Sequence, residues 1–172
     1  MALKNYKARS PGMRFRVSQV RTHLSKEKPV AHLTLAKNSC AGRNNTGKIT
    51  VRHHGGGNKT KYRIIDFKGA FNANGNTVTA IEYDPNRTAY IALLQDEAGK
   101  KSYMLAPDGI KVGDVLYAGE TADIKPGNVL PIANIPVGTL INSIEIYPGR
   151  GAQLVRSAGA AAQLMAKENG MA

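Results

Sequence analysis

Hydrophobic residues follow two different patterns in the two parts of the chain. Before Tyr62 no apolar face is sustained, whereas from Tyr62 onward short apolar runs alternate with Gly, Pro, Asn and Asp. Short runs rich in β-branched residues and bounded by turn residues predict β-strands. We expect five of them, at 60–68, 77–83, 89–94, 102–106 and 112–117. Five short strands predict an OB-type barrel, although the pattern alone fits other small barrels as well.

Two features of this region carry more specific predictions. The run at 89–94 is apolar on both faces, which predicts the most enclosed strand. The preceding Asp84-Pro85-Asn86-Arg87 has Asp first and Pro second, as a type I turn prefers. Upstream of the barrel, a short strand is expected at 32–36.

A second region begins after Lys125-Pro126-Gly127-Asn128, where Pro131 and Pro136 indicate a boundary. We expect strands at 139–147 and 163–167, with a turn at 148–151 that leaves Arg150 available to a phosphate. Asn169-Gly170 is a strong hairpin signal with only two residues after it, so we expect an incomplete second barrel. A frayed alanine-rich helix at 158–166 is the alternative. The predicted division is an arm at 1–59, an OB-fold domain at 60–133 and an incomplete SH3-like barrel at 134–172.

Charge changes this picture by indicating a polyanionic partner. The 172 residues have a formal net charge of +12 and a pI near 10.0. Residues 1–68 hold sixteen Lys and Arg against Glu27 and Asp66, a net of +14, and the remainder holds eight against ten, a net of −2. A basic segment with so few large apolar residues indicates an arm that orders on RNA, or otherwise a solvated tail.

Candidate binding residues are most concentrated at 41–68, where glycines, side-chain amides and cations alternate. Three consecutive glycines let backbone N–H groups approach an anion closely, and the surrounding side chains supply charge and short hydrogen-bonding groups. The candidate RNA-binding residues of this segment are Arg43, Asn44, Asn45, Lys48, Arg52, His53, His54, Gly55, Gly56, Gly57, Lys59, Lys61, Arg63 and Lys68.

Signals for enzymatic or metal chemistry are weak. Residues 42–48 have the glycine and lysine spacing of a phosphate-binding P-loop, but Ile49 occupies the Ser/Thr position and the next residues favour a strand over a helix. The histidines and the single Cys40 lack zinc-site spacing, and no catalytic constellation can be nominated. We therefore expect no catalytic residue, no metal, no cofactor and no small-molecule substrate. Nothing resembles a signal peptide or a membrane span, so no membrane partner is expected.

Seven blocks together resemble the large-subunit ribosomal protein L2 family of bacteria and organelles. They are SPG at 10–12, GRNNTGKITVRHHGGGNKTKYRIIDFK at 42–68, EYDPNR at 82–87, YMLAP at 103–107, KPGN at 125–128, NIPVG at 134–138 and PGRGAQLVRSAG at 148–159. The resemblance implies a basic arm threaded into rRNA, an OB-fold barrel and an SH3-like barrel. It also implies direct binding to large-subunit rRNA near the peptidyl-transferase region, with a role in subunit joining and tRNA placement.

By position, the resemblance makes Arg87 and Arg156 RNA contacts and puts Lys68 at the start of a basic loop. That loop departs from the family pattern, because residues 69–74 carry no Lys or Arg. The family's second half, with its histidine-containing tail, has no counterpart here, so no role in peptide-bond formation is carried over.

These observations predict a ribosome-bound structural protein of the bacterial cytoplasm or of an organelle, mitochondrion or plastid. The expected partners are large-subunit rRNA and other ribosomal proteins. For the rest of the second barrel, the alternatives are a separate chain that completes it, a continuation of this chain, or evolutionary loss. The alternatives are a free-standing OB-fold protein that stacks single strands on Tyr62, Phe67, Tyr83, Tyr90 and Tyr103, and a nucleotide-dependent enzyme.

Overall fold

A computed structural model describes residues 3–55, 59–69 and 75–172. Within them the chain is mainly β, as predicted. Short 3₁₀ turns lie at Pro11–Met13, Ala31–Leu33 and Ile132–Asn134. The strands are β1 (Leu3–Asn5), β2 (Val17–Gln19), β3 (Thr34–Ala36), β4 (Lys61–Arg63), β5 (Asn76–Glu82), β6 (Ile91–Gln95), β7 (Lys101–Leu105), β8 (Val115–Leu116), β9 (Leu140–Ile141) and β10 (Ala162–Gln163).

The largest element is a curled antiparallel sheet in the order β7-β6-β5-β8. A register shift between Val78 and Ala80 bends β5 against β6, and such bulges increase strand twist. The chain after β4 runs alongside β7, where Ile65 forms a parallel bridge with Tyr103. The four predicted strands from 77 onward thus form this half-barrel. The first predicted strand, at 60–68, pairs through β4 with β3 and then meets the sheet at Ile65.

Both faces of the sheet are covered by apolar side chains, and β6 lies between two core clusters. Alternate residues of a strand point to opposite faces, so a strand that is buried throughout must have packing on both sides. Ile91, Ala92 and Leu94 are fully buried, and Leu93 is 5% exposed. The prediction that this is the most enclosed strand is confirmed. One cluster adds Ile65, Ala80, Tyr103 and Leu105, and the other adds Val78 and Leu116.

The basic N-terminal segment is partly folded. β1 and β2 form a two-stranded hairpin, and the residues that follow pack onto the sheet. Leu24 is buried, the Ser25 N–H donates to the Ile81 carbonyl at 2.8 Å, and the Val30 N–H donates to the Tyr103 hydroxyl at 3.1 Å. β3 then pairs with β4, which lies more than twenty residues downstream. These are long-range contacts, which local composition does not reveal.

The C-terminal region has shorter strands than predicted. β9 and β10 pair, an isolated bridge joins Ile144 to Leu154, and residues 158–166, all within the described part of the chain, contain no helix. The hairpin turn predicted at Asn169-Gly170 is confirmed by positive φ angles of 50° and 74° and by reciprocal backbone hydrogen bonds between Glu168 and Met171. This combination of angles is that of a type I′ turn.

Within the described ranges, none of the helical segments has the length and hydrophobicity of a membrane-spanning helix. Across the same residues, no group of three or more His, Cys, Asp or Glu side chains is arranged to hold a metal ion.

Candidate nucleic-acid interface

The predicted P-loop segment forms a closed loop around Asn44. The Asn44 side-chain oxygen accepts from the Thr46 N–H at 3.0 Å, the Thr46 hydroxyl at 2.8 Å and the Lys48 N–H at 3.0 Å. Backbone bonds from Asn44 N–H to the Lys48 carbonyl and from Gly47 N–H to the Asn44 carbonyl complete it. These amides point inward to protein acceptors, so they cannot cradle a nucleotide phosphate as P-loop amides do.

The base of this loop depends on Gly42. Its carbonyl oxygen accepts from the N–H groups of Thr50 and Val51, and its φ is +70°. A Cβ at this position would collide with the Val51 carbonyl oxygen. The chain continues from Lys48 into an isolated bridge between Arg43 and Ile49. A helix should begin at this point in a P-loop, so the structure gives the nucleotide-dependent alternative no support.

Most candidate residues of the 41–68 segment line this exposed loop and its flanks. The exposed ones are Arg43, Asn44, Asn45, Lys48, Arg52, His53, His54, Gly55, Lys59, Lys61 and Lys68. Gly56 and Gly57 lie outside the described residues. The loop therefore presents its charged side chains outward, while its own backbone polar groups are largely used to hold its shape.

Arg63 differs from the other cations of this segment because it is only 9% exposed. Its Nη1 donates to the Lys61 carbonyl at 2.7 Å, and its Nε is buried without a hydrogen-bond partner. It lies near Glu82 and Tyr103, whose hydroxyl donates to the Glu82 carboxylate at 2.9 Å. Burial raises the pKa of Glu82 and, with the Glu82 contact, raises the pKa of Tyr103 to about 12. Arg63 in this conformation belongs to the polar interior rather than to an accessible surface.

A second cationic surface is organised around Arg87. Its Nε donates to the Asp84 carboxylate at 2.7 Å, and Asp84 is fully buried. The other Asp84 oxygen accepts from both the backbone N–H and the side-chain amide of Asn86 at 2.9 Å. Burial opposes ionisation of Asp84, but the bonds from Asn86 and Arg87 outweigh it and lower the pKa of this carboxyl. Asn86 also donates to the Lys61 carbonyl at 2.8 Å, which ties the turn to β4.

Phe67 brings together the two arginines that the sequence separates by nearly seventy residues. The Arg87 guanidinium carbon lies 5.8 Å from the Phe67 ring centroid, and that of Arg156 lies 4.9 Å from it. Both distances are within the range of cation–π contact. The Ala152 N–H donates to the Phe67 carbonyl at 2.7 Å, so a backbone bond holds the C-terminal region against this residue.

The turn that carries Arg150 is held by Glu145. One carboxylate oxygen accepts from the Gly149 N–H and the other from the Gly151 N–H, both at 2.8 Å. The Arg150 guanidinium carbon lies 5.4 Å from the Tyr147 ring centroid. Gly151 packs close to the Phe67 carbonyl and the Lys68 side chain, so this turn adjoins the arginine pair at Phe67. We call Phe67, Lys68, Arg87, Arg150 and Arg156 the arginine cluster.

Sequence reasoning missed the residues that position these cations. It named Asp84 and Asn86 only for turn geometry, Phe67 only as a possible stacking surface, and Glu145 not at all. The sequence could have indicated the role of Asp84, because a carboxylate three residues before an arginine in the same turn can form an ion pair with it. No local signal could have paired Phe67 with Arg156 or Glu145 with the two glycine amides, because both depend on tertiary contacts.

The proposed aromatic platform is incomplete in the structure. Tyr103 is fully buried, and its hydroxyl is bonded to Glu82, so it cannot stack on a base. Tyr83 is 42% exposed, but the Arg21 guanidinium carbon lies 4.0 Å from its ring centroid. The five aromatic residues therefore do not form the continuous stacking face that the single-strand-binding alternative requires.

Comparison with protein families assigns both regions of the chain. Residues 30–118 match the RNA-binding N-terminal domain of ribosomal proteins L2, and residues 125–172 match the C-terminal domain of the same proteins. The first match alone covers more than half of the chain, and the second continues it in the same order. The chain belongs to the ribosomal protein L2 family, whose members are ribosomal proteins that bind rRNA.

Proposed function

We propose that this protein binds large-subunit rRNA directly near the peptidyl-transferase region and thereby supports subunit assembly, subunit association and translation. It acts by binding, without chemistry on a substrate. The observation that carries the proposal is the pairing of Arg87 and Arg156 on the Phe67 ring. One arginine comes from each matched domain, so RNA bound at this point would engage both domains at once.

The geometry of the arginine cluster suits phosphate oxygens. A guanidinium has five N–H donors in a plane, and one of those on Arg87 is used by Asp84 in the observed ion pair. Stacking on Phe67 restrains the plane of each guanidinium, which lowers the entropic cost of aiming its donors at RNA. Lys68 and Arg150 add two exposed cations beside the pair. We expect RNA shape and unpaired nucleotides to supply specificity.

The loop at 42–51 that Asn44 closes, called here the Asn44-closed loop, would contribute affinity in another way. Arg43 and Lys48 lie on this loop, Arg52, His53 and His54 follow it directly, and all five are exposed. The run of glycines that comes next in the sequence would allow close backbone approach. Cations that neutralise phosphates release counterions, so this contribution should fall steeply with salt. We propose that the division into an arm at 1–59 and barrel domains at 60–133 and 134–172 separates these two kinds of contact.

We further propose that other polypeptide surrounds the C-terminal region in the ribosome. Leu140 and Met165 are 69% and 73% exposed, and β9 pairs only with β10 among the described residues. The occupant would be a separate chain that completes the second barrel, in a bacterial or organellar ribosome. Mass spectrometry of purified large subunits tests this by identifying peptides of this chain, of any continuation and of a separate C-terminal partner.

The decisive experiment is incorporation of Arg87→Ala and Arg156→Ala proteins into large subunits in competition with tagged wild type. Lys100→Ala is the matched control, because Lys100 is an exposed cation in the β6–β7 turn, at the far end of β6 from Arg87. We expect both arginine variants to be under-represented in subunits and the control to match wild type. Equal incorporation of all three would contradict the proposal. Recovery of the wild type outside ribosomes would favour a free-standing single-strand-binding protein.

A further inference from the structure

The N-terminal hairpin is a structured basic element of the arm that lies outside both the loop closed by Asn44 and the arginine cluster. β1 and β2 pair, and the hydroxyls of Tyr6, which follows β1, and Ser18, in the middle of β2, share a hydrogen bond of 2.8 Å. The Tyr6 ring lies between two cations, with the Lys4 ammonium 5.5 Å and the Arg16 guanidinium carbon 5.0 Å from its centroid. These contacts fix the hairpin without a hydrophobic core.

The tip of this hairpin consists of two successive turns. The Met13 N–H donates to the Ser10 carbonyl at 3.0 Å, and the Arg16 N–H donates to the Met13 carbonyl at 3.3 Å. The Arg16 guanidinium also contacts the Met13 sulfur at 3.7 Å. Phe15 lies inside the second turn, between Arg14 and Arg16, and is 87% exposed. The fold therefore holds an uncovered aromatic ring at the end of a restrained basic hairpin.

An exposed phenylalanine in this setting indicates a ligand with an aromatic face and negative charge. Residues 1–28 contain eight Lys and Arg and one acidic residue, Glu27. An apolar pocket on another protein would have to accept Phe15 together with its two flanking arginines. RNA satisfies both requirements, because an unpaired base stacks on an aromatic ring while the adjacent phosphates accept from arginine.

We propose that Phe15 is a stacking site for an unpaired nucleobase of rRNA, with Arg14 and Arg16 on the phosphates beside that base. This inference rests on the proposed function and adds a contact separate from the arginine cluster. The hairpin would contact an unpaired base of the RNA, whereas the Asn44-closed loop and the arginine cluster would contact its phosphates.

Binding of the full chain to protein-free large-subunit rRNA tests the inference. Loss of base–aromatic stacking lowers affinity by about 5-fold to 150-fold when the ring is removed. We expect Phe15→Ala and Phe15→Leu to lose affinity in that range and Phe15→Tyr to retain it. Leu3→Ala is the control, because Leu3 is a 68% exposed apolar residue of the same hairpin.

The salt dependence of binding separates stacking from charge. Phe15→Ala removes no cation, so the slope of log affinity against log salt should match wild type, whereas Arg14→Ala should reduce it by about one. A photoreactive benzoyl-phenylalanine at position 15 should crosslink to rRNA in assembled subunits. A crosslink to protein, or Phe15→Ala affinity equal to that of wild type, would overturn the inference. If the wild type itself fails to bind rRNA, the proposed function fails instead.

Discussion

Arg87 and Arg156 lie on the same ring, but they are held there in opposite ways. Arg87 is bonded to the fully buried carboxylate of Asp84, in the turn that joins β5 to β6. Arg156 is exposed, and its observed hydrogen bond is to the Ala152 carbonyl at 3.4 Å. Of the hydrophobic residues described at 134–172, only Ala152 and Leu164 are buried. Side-chain contacts anchored in the core therefore position Arg87, whereas backbone bonds position Arg156.

The difference implies that Arg87 and Arg156 can be displaced from this surface independently of each other. Damage to the interior of the sheet should displace Arg87 together with the fold, because Asp84 is buried in the turn that joins two strands of that sheet. Damage in the C-terminal region should displace Arg156 or Arg150 and leave the sheet intact. Substitutions in the sheet interior should therefore have larger effects on stability than substitutions in the C-terminal region.

Tyr103→Phe should have the largest effect on stability. It removes the hydroxyl that donates to the buried Glu82 carboxylate and accepts from the N–H of the half-buried Val30. Leaving buried polar groups without partners costs about 1–3 kcal/mol each, so we expect the free energy of unfolding to fall by about 2–4 kcal/mol. Urea unfolding measures this change. Tyr62→Phe, at a 38% exposed ring, is the control, and an equal effect of both variants would contradict the prediction.

The same hydroxyl gives a prediction for alkaline pH. The pKa of Tyr103 is raised to about 12 in the folded protein, whereas an unfolded tyrosine ionises near 10. As pH rises above about 10, the unfolded state loses this proton first, so wild-type stability should fall through the interval up to about 12. Tyr103→Phe should lack this part of the decline. Tyrosinate absorbance should also show one late-titrating tyrosine in wild type that is missing from the variant.

Asp84→Ala should have the next largest effect and should also weaken RNA binding. It removes the acceptor for Arg87 and for two Asn86 donors, and we expect a loss of about 2 kcal/mol in unfolding free energy. Arg87 would then be free to leave Phe67, so affinity for rRNA should approach that of Arg87→Ala. Unfolding and rRNA titrations on the same preparation measure both effects, with Asp108→Ala in an exposed turn as control.

Acid titration provides a second test of Asp84. Its folded-state pKa is lowered, so its contribution to stability is present above the ordinary carboxyl range and lost as pH falls through the lowered value. Wild type and Asp84→Ala should therefore converge in stability in strong acid. A stability difference that stayed constant down to the lowest pH would show that the carboxylate's bonds are not the cause.

The strands of the sheet could be predicted from sequence because their signals are local. The apolar run of β6 and the turn residues before it each specify structure within a few neighbours. The hairpin at Asn169-Gly170 was found for the same reason, since its φ angles are an intrinsic preference of those residues.

The parts that could not be predicted depend on distant partners. Two such contacts are the pairing of β3 with β4 and the hydrogen bond from the Val30 N–H to the Tyr103 hydroxyl. Each joins segments far apart in the chain, which local hydrophobic periodicity cannot relate. For the site, composition identified which cations are candidates but not their environment. Arg63 and Lys61 are both cations on the same face of β4, yet only Arg63 is buried, because it lies beside Glu82 and Tyr103.

Phe67→Leu should separate the ring's role in joining the two arginines from its role in packing. Leucine keeps an apolar side chain but removes two cation–π contacts, each worth about 0.5–1 kcal/mol at a partly exposed site. We expect unfolding free energy to fall by about 1 kcal/mol. In a double-mutant cycle for rRNA affinity, the coupling between Arg87→Ala and Arg156→Ala should shrink in the leucine background. Persistent coupling would mean that the ring does not link them.

Glu145→Gln should have the smallest effect and should be confined to the C-terminal region. Glutamine offers one acceptor where the carboxylate offers two, so either the Gly149 or the Gly151 N–H must lose its partner. We expect a local cost of about 1 kcal/mol, seen as faster hydrogen exchange of those two amides, with exchange in β6 unchanged. Because the turn that carries Arg150 would loosen, rRNA affinity should fall about 2-fold to 5-fold, less than for Asp84→Ala. Glu120→Gln, at an exposed glutamate, is the control. Faster exchange in β6 would mean that the two regions are coupled, and the contrast between a core-anchored Arg87 and a backbone-anchored Arg156 would then be wrong.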